Sequence, residues 1–127
     1  MNTILIVEDE RIVGLDIKTS LEIMGYNVLD MVSNGKDAIE RARNLKPDII
    51  LMDIGLQGDM NGIEAAKVIK SIYNVPIIFA TAYEDSKTYN EALEIHPDGY
   101  IVKPFYEEKL KECIEKALLT QKNEKSG

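Results

Sequence analysis

With one cysteine in 127 residues, Cys113, the chain cannot close an internal disulfide. That suits a reducing cytoplasm. Its one histidine, His96, stands beside Pro97 in a polar turn and reads as a surface residue, not a metal ligand. No apolar stretch is long enough to cross a bilayer. The start lacks the basic-then-apolar order of a signal peptide. Positive charge is in deficit, with 15 Lys+Arg against 22 Asp+Glu and a net charge of −7. Direct binding to nucleic acid or to an anionic membrane is therefore not expected. There is no low-complexity segment and no linker leading to a second domain.

What remains is an ordinary globular composition, 45% apolar, in a length that fits one core. Five apolar runs begin near positions 4, 28, 49, 77 and 100, each interval leaving room for one helix. Unbroken apolar blocks suit strands buried on both faces of a parallel sheet. The run Val28-Leu29-Asp30-Met31-Val32 is interrupted by an aspartate and reads as an edge strand. Between the runs the period becomes helical: Val13, Ile17, Leu21 and Met24 share a face, as do Ala38, Ala42 and Leu45, and Ala66, Ile69 and Tyr73. Leu110, Ile114, Ala117 and Leu118 give the last helix its stripe. Gly25 stops the first helix, and Pro47 ends the connection into the third run. Five such units predict a doubly wound α/β domain with right-handed crossovers.

Four of the runs end in residues that can do chemistry: Glu8-Asp9, Asp53, Thr81, and Lys103-Pro104. In parallel neighbouring strands these ends converge on one sheet edge. Two carboxylates about 4 Å apart in a partly shielded site repel by about 4 kcal/mol. A compensating cation is implied. All the ligands would be oxygens, and an open site completed by water and phosphate favours Mg²⁺ over Ca²⁺. Lys103 adds a second positive charge and Thr81 a hydrogen bond, which is what a transferring phosphoryl group needs around its oxygens. The chemical reading is an aspartate nucleophile forming an acyl phosphate.

Glu8-Asp9, Asp53, Thr81-Ala82 and Lys103-Pro104-Phe105 together resemble the signature of response-regulator receiver domains of two-component signalling. The likeness runs from residue 3 to about 119. It implies a flavodoxin-like (βα)5 sandwich with strand order 2-1-3-4-5 and a site at the topological switch point. A chemotaxis receiver is the standard instance of that order, so the order is carried by the resemblance. The receiver would occupy residues 1–120, and 121–127 would be a polar tail or the start of a linker. By resemblance Asp53 accepts phosphate from a sensor histidine kinase or phosphotransfer protein. Asp9, Asp53 and the Gly55 backbone carbonyl bind Mg²⁺, and Glu8 acts through a metal-bound water. Lys103 pairs with the phosphoryl group, and the Lys103–Pro104 bond is cis. Thr81 and Tyr100 move together and reshape the face of helix 4, strand 5 and helix 5, which controls an effector protein or output domain. The expected protein is a cytoplasmic phosphoprotein switch that assists its own phosphorylation, not a conventional enzyme, with room for phosphorylation-dependent dimerisation. It is a stand-alone regulator or the N-terminal piece of a longer protein.

Two features depart from the usual pattern. The loop Gly55-Leu56-Gln57-Gly58-Asp59-Met60-Asn61-Gly62 lacks the common Met-Pro pair and is one residue longer. Glycine stands two past Asp53 and tyrosine two past Thr81, so Tyr83 is expected to shield the phosphoryl group while Gly55 leaves no side chain to orient water. Singly, each residue has a plainer reading. Glu8-Asp9 would favour a helix N-terminus, Asp53 would end a strand, Thr81 would be a cap, and Lys103 would be a solvated strand end. Pro104 would start a helix. Tyr100 would be a half-buried strand aromatic, and Cys113 a packing residue. These readings would have to coincide at one edge, which counts against them. A Mg²⁺-dependent aspartyl-phosphate hydrolase is the competing function, but it wants an acid where Gly55 stands. A flavodoxin-like cofactor binder wants a glycine- and hydroxyl-rich loop where Glu8-Asp9 stands.

Overall fold

A computed structural model describes residues 2–126. The chain alternates strand and helix throughout: β1 (Thr3–Val7), α1 (Arg11–Ile23), β2 (Asn27–Val32), α2 (Gly35–Leu45), β3 (Ile49–Met52), α3 (Gly62–Ile72), β4 (Ile77–Thr81), α4 (Ser86–Leu93), β5 (Gly99–Val102) and α5 (Glu107–Ser126). All strand pairs are parallel, in the order β2-β1-β3-β4-β5.

Alternation along the central strands divides the core in two. Leu5, Val7, Ile50, Met52 and Phe79 point to one face, where Ala38 and Ala42 of α2, Ile63, Ala66 and Ile69 of α3, and Ala92 of α4 cover them. Ile4, Ile6, Ile49, Leu51, Ile78 and Ile101 point to the other, against Ile17 and Leu21 of α1 and Leu110, Ile114 and Ala117 of α5. The continuous apolar runs are therefore required, because neither face of β1, β3 or β4 meets solvent. Each fully buried aliphatic or aromatic side chain contributes roughly 1.5–3 kcal/mol of transfer free energy.

The edge position of β2 accounts for its aspartate. Asp30 forms an ion pair with Arg41 of α2 at 2.7 Å, and Leu29 is the extra residue where the register shifts from Ile4↔Val28 to Leu5↔Asp30. Caps follow local chemistry. Gly25 takes φ +95 after α1, where a side chain would be strained. Asn34 accepts from the Asp37 amide at 2.8 Å, and Asn61 and Glu64 form a reciprocal capping box on α3. One expectation needs adjustment. Leu45 shares the Ala38 and Ala42 face only loosely and stays exposed at the end of α2. The last helix, α5, extends to Ser126, and Met1 and Gly127 lie outside the described residues.

Candidate functional site at the carboxyl ends of the strands

Backbone pairing extends one residue past each strand and fixes where the chemistry-bearing side chains start. Val7 pairs with Met52 and Met52 with Phe79. The Glu8 amide donates to the Val32 carbonyl at 2.9 Å, and the Asp53 amide to Val7 at 2.9 Å. The Lys103 amide donates to the Thr81 carbonyl at 2.8 Å. The strand ends are thus clamped together, and Glu8, Asp53 and Lys103 meet above them.

At the centre Lys103 Nζ donates to Glu8 Oε1 and, at 3.2 Å, to Asp53 Oδ2. The Gly55 amide donates to Asp53 Oδ1 at 3.2 Å, and the Glu10 amide to Glu8 Oε2 at 3.1 Å. Glu8, Asp53 and Thr81 are buried. Burial, the largest influence, pushes the Glu8 carboxyl up to about 7; Lys103 opposes this, and the neighbouring Asp53 adds to it. Burial alone would lower the Lys103 ammonium, but the Glu8 and Asp53 carboxylates outweigh it and raise it. One ammonium between two buried carboxylates leaves the site short of positive charge.

The carboxylate oxygens of Glu8, Asp9 and Glu10 lie within 4.8 Å of one another. Among the described residues, no hydrogen bond or ion pair engages the Asp9 carboxylate. These donors are all oxygens, and Glu8 and Asp9 border an open cavity of about 300 Å³ shared with Asp30, Asp37, Arg11 and Arg41. The donor set fits a hard divalent cation. Glu10 was not singled out from the sequence, although three consecutive acids after β1 were in plain view. A larger cavity of about 580 Å³ lies at the opposite ends of the strands, lined by residues such as Lys46, Asp48 and Tyr73; it gathers no comparable set of carboxylates.

Thr81 and Tyr100 sit beside this centre. Thr81 Oγ1 accepts only a long bond, 3.4 Å, from the Tyr83 amide. The Tyr100 hydroxyl donates to the Tyr83 carbonyl at 2.6 Å. The Tyr100 ring lies edge-on to Tyr89 at 5.0 Å and tilted against Phe79 at 6.2 Å. Tyr83 also covers Gly55: a Cβ at position 55 would meet the Tyr83 ring at 2.9 Å. The bond between Lys103 and Pro104 is cis. The loop after Asp53 turns through Gly58 at φ +91, and Gln57 bridges to Asn34. Of the residues set aside, His96 is exposed. Cys113 is half-buried, and its sulfur lies 3.6 Å from the position a Gly99 Cβ would take. No helix among the described residues is long and apolar enough to cross a membrane.

The family model described as the response regulator receiver domain matches residues 4–115. The chain is 36% identical over 114 residues to the chemotaxis protein CheY of Thermotoga maritima, covering 89% of this chain and 94% of that one. It is 36% identical over 119 residues to the transcriptional regulatory protein YdfI of Bacillus subtilis, covering 93% of this chain but 55% of the relative. The chain therefore spans about half the length of several curated relatives. Among solved structures, the signal receiver domain of a modulated diguanylate cyclase from Desulfovibrio desulfuricans superposes with a TM-score of 0.92 at 39% identity, covering 98% of each chain.

Proposed function

Because the chain belongs to the response regulator receiver domain family, we propose that it is a phosphorylation-controlled protein switch whose acceptor is Asp53. The observation that carries this reading is the buried Asp53 carboxylate bonded to Lys103 at the end of β3. An Asp53 oxygen attacks the phosphorus of a phosphohistidine on a sensor kinase or phosphotransfer protein. A P–O bond forms, the P–N bond breaks, and its electron pair leaves with the imidazole. Lys103 moves its donors onto the phosphoryl oxygens, and the freed Thr81 hydroxyl donates to them. Asp9, Asp53 and the Gly55 carbonyl would hold Mg²⁺, with Glu8 contributing through a bound water, and the ion would supply charge neutralisation at the developing phosphoryl group.

When Thr81 is drawn inward, the Tyr83 segment and the Tyr100 hydroxyl bonded to it shift together. Tyr89 and Leu93 on α4, and Tyr106 just before α5, are exposed. Such a surface suits an effector protein, an output domain or a second copy of the chain. The receiver unit is taken as residues 1–120, and a cytoplasmic setting follows from the kinase partner. An aspartyl-phosphate hydrolase is disfavoured because the Tyr83 ring fills the space a general acid at position 55 would need.

The test is incubation with acetyl phosphate and Mg²⁺. Stoichiometric, acid-stable and base-labile labelling of the wild type, absent from Asp53→Asn, is the expected result; labelling that persists in the variant overturns the assignment. Tyr83→Ala should then lose its acyl phosphate several-fold faster, because the ring over Gly55 no longer limits water. Phosphate release at equal or slower rate in Tyr83→Ala rejects the shielding role.

A further inference from the structure

The loop after Asp53 is fastened to the start of α2 at two points, and one of them is a sulfur atom. Asn34, which caps α2, forms an isolated β-bridge with Gln57. Beside it the Met60 side chain lies along Gly35, the first residue of α2. A Cβ on Gly35 would stand 2.8 Å from Met60 Sδ, 3.0 Å from its Cγ and 3.2 Å from its Cβ, so glycine is what admits the thioether there. Met60 is half-buried against the core face that carries α2 and α3. It also borders an open cavity of about 520 Å³ whose wall includes Lys36, Asp37, Gln57 and Asp59. Between the anchors Gln57, Gly58 and Asp59 are exposed, and Gly58 turns at φ +91. Fully buried Met52 has no such opening to solvent. Met31 is half-buried too, but its sulfur lies against Gly14 of α1, and Met24 caps the end of that helix.

We propose that Met60 is an oxidation site: a hydroperoxide entering the cavity converts its thioether to the sulfoxide, which releases the loop from α2 and slows phosphorylation at Asp53. The effect on Asp53 rests on the receiver reading above. In the step a sulfur lone pair attacks one peroxide oxygen, an S–O bond forms and the O–O bond breaks. The sulfur loses two electrons, and the second peroxide oxygen leaves as water or, from an organic hydroperoxide, as an alcohol. The product is a polar group in place of an apolar one. Against Gly35 there is no room for the added oxygen, because the thioether already fills the space a methyl would take. The oxidised side chain therefore turns into the cavity, where water and the polar wall solvate it. At the start of the same loop the Gly55 amide donates to Asp53 Oδ1 at 3.2 Å, so a released loop no longer holds the acceptor carboxylate in place.

The test treats the full chain with hydrogen peroxide, maps the added oxygen by peptide mass spectrometry, and then measures acetyl phosphate labelling. Met60 is expected to gain one oxygen while Met52 stays unmodified. Labelling should slow about tenfold, the usual cost when the support behind a metal-binding group is lost, and methionine sulfoxide reductases should restore it. Met60→Leu fills the same space without an oxidisable sulfur. Its own labelling rate should be the same before and after peroxide, with Met24, Met31 and Cys113 still present. Equal slowing in Met60→Leu, an unchanged rate in wild type oxidised at Met60, or a Met60 as resistant to peroxide as Met52 overturns the proposal. A readout that needs no phosphate is the pair of amide NMR shifts of Gly35 and Gln57. They should move on oxidation of the wild type and hold still in Met60→Leu; stationary peaks in the oxidised wild type reject the latch. If labelling persists in Asp53→Asn the receiver reading fails, while those two shifts still decide whether the latch exists.

Discussion

Gly62→Ala should destabilise the domain by about 3 kcal/mol, the upper end for forcing one extra carbon into a packed site. It should also slow acyl phosphate formation at Asp53. Gly62 opens α3, and a Cβ there would stand 2.1 Å from the Asp53 carbonyl oxygen and 2.8 Å from the Ile54 Cα. Both are backbone atoms, so no rotamer change relieves the clash. Either α3 withdraws, breaking the 2.8 Å bond from the Gly62 amide to the Ile54 carbonyl, or the Asp53 backbone moves and its carboxylate leaves Lys103. Urea unfolding measures the first cost and acetyl phosphate labelling the second. A variant with the wild-type midpoint and labelling rate would contradict the close approach. By contrast, no atom lies within 4 Å of a Cβ built at Gly58, where only backbone strain opposes substitution.

The metal-free protein should lose stability as pH rises from about 4.5 to about 7, by up to about 3 kcal/mol. Glu8 sits near its ordinary 4.5 when unfolded and at about 7 when folded, chiefly through burial. Across that interval the folded state binds the extra proton, so its advantage is complete below the unfolded value and gone above the folded one. The raised Lys103 ammonium acts in the same sense, but only above its ordinary 10.5. Chelator-treated protein should therefore show a falling urea midpoint between about pH 4.5 and about pH 7, and Mg²⁺ should restore it at the upper end by binding the folded state. Glu8→Gln should flatten the profile, since no carboxyl remains to titrate. A fall that survives in Glu8→Gln would assign it to other groups.

The strands were legible because their burial on both faces demands uninterrupted apolar runs, and the convergence of Glu8, Asp53 and Lys103 because four of the five runs stop at a polar or charged residue. The edge placement of β2 was legible from Asp30, but the bulge at Leu29 was not, since edge pairing leaves no mark in the apolar pattern. Helix α4 gave no stripe to read because it buries only Ala92. The Glu8–Lys103 contact was hidden for a different reason. Sequence position places both at the sheet edge, whereas their meeting depends on side-chain reach across two intervening strands. Gly62 appeared only as a loop residue; its role is set by how closely α3 starts beside Asp53.

The single buried side chain of α4 has a further consequence. The α3 helix is fastened by Ile63, Ala65, Ala66 and Ile69, and tilting it would open a void in the core. Sliding α4 disturbs one methyl group and the rings of Tyr89 and Tyr100, which are already half in solvent. Among the described residues, the helix with the fewest buried side chains therefore lies next to the tyrosine bonded to the loop after Thr81. Remodelling on that side exposes little apolar area, so that face can rearrange while the interior stays shut.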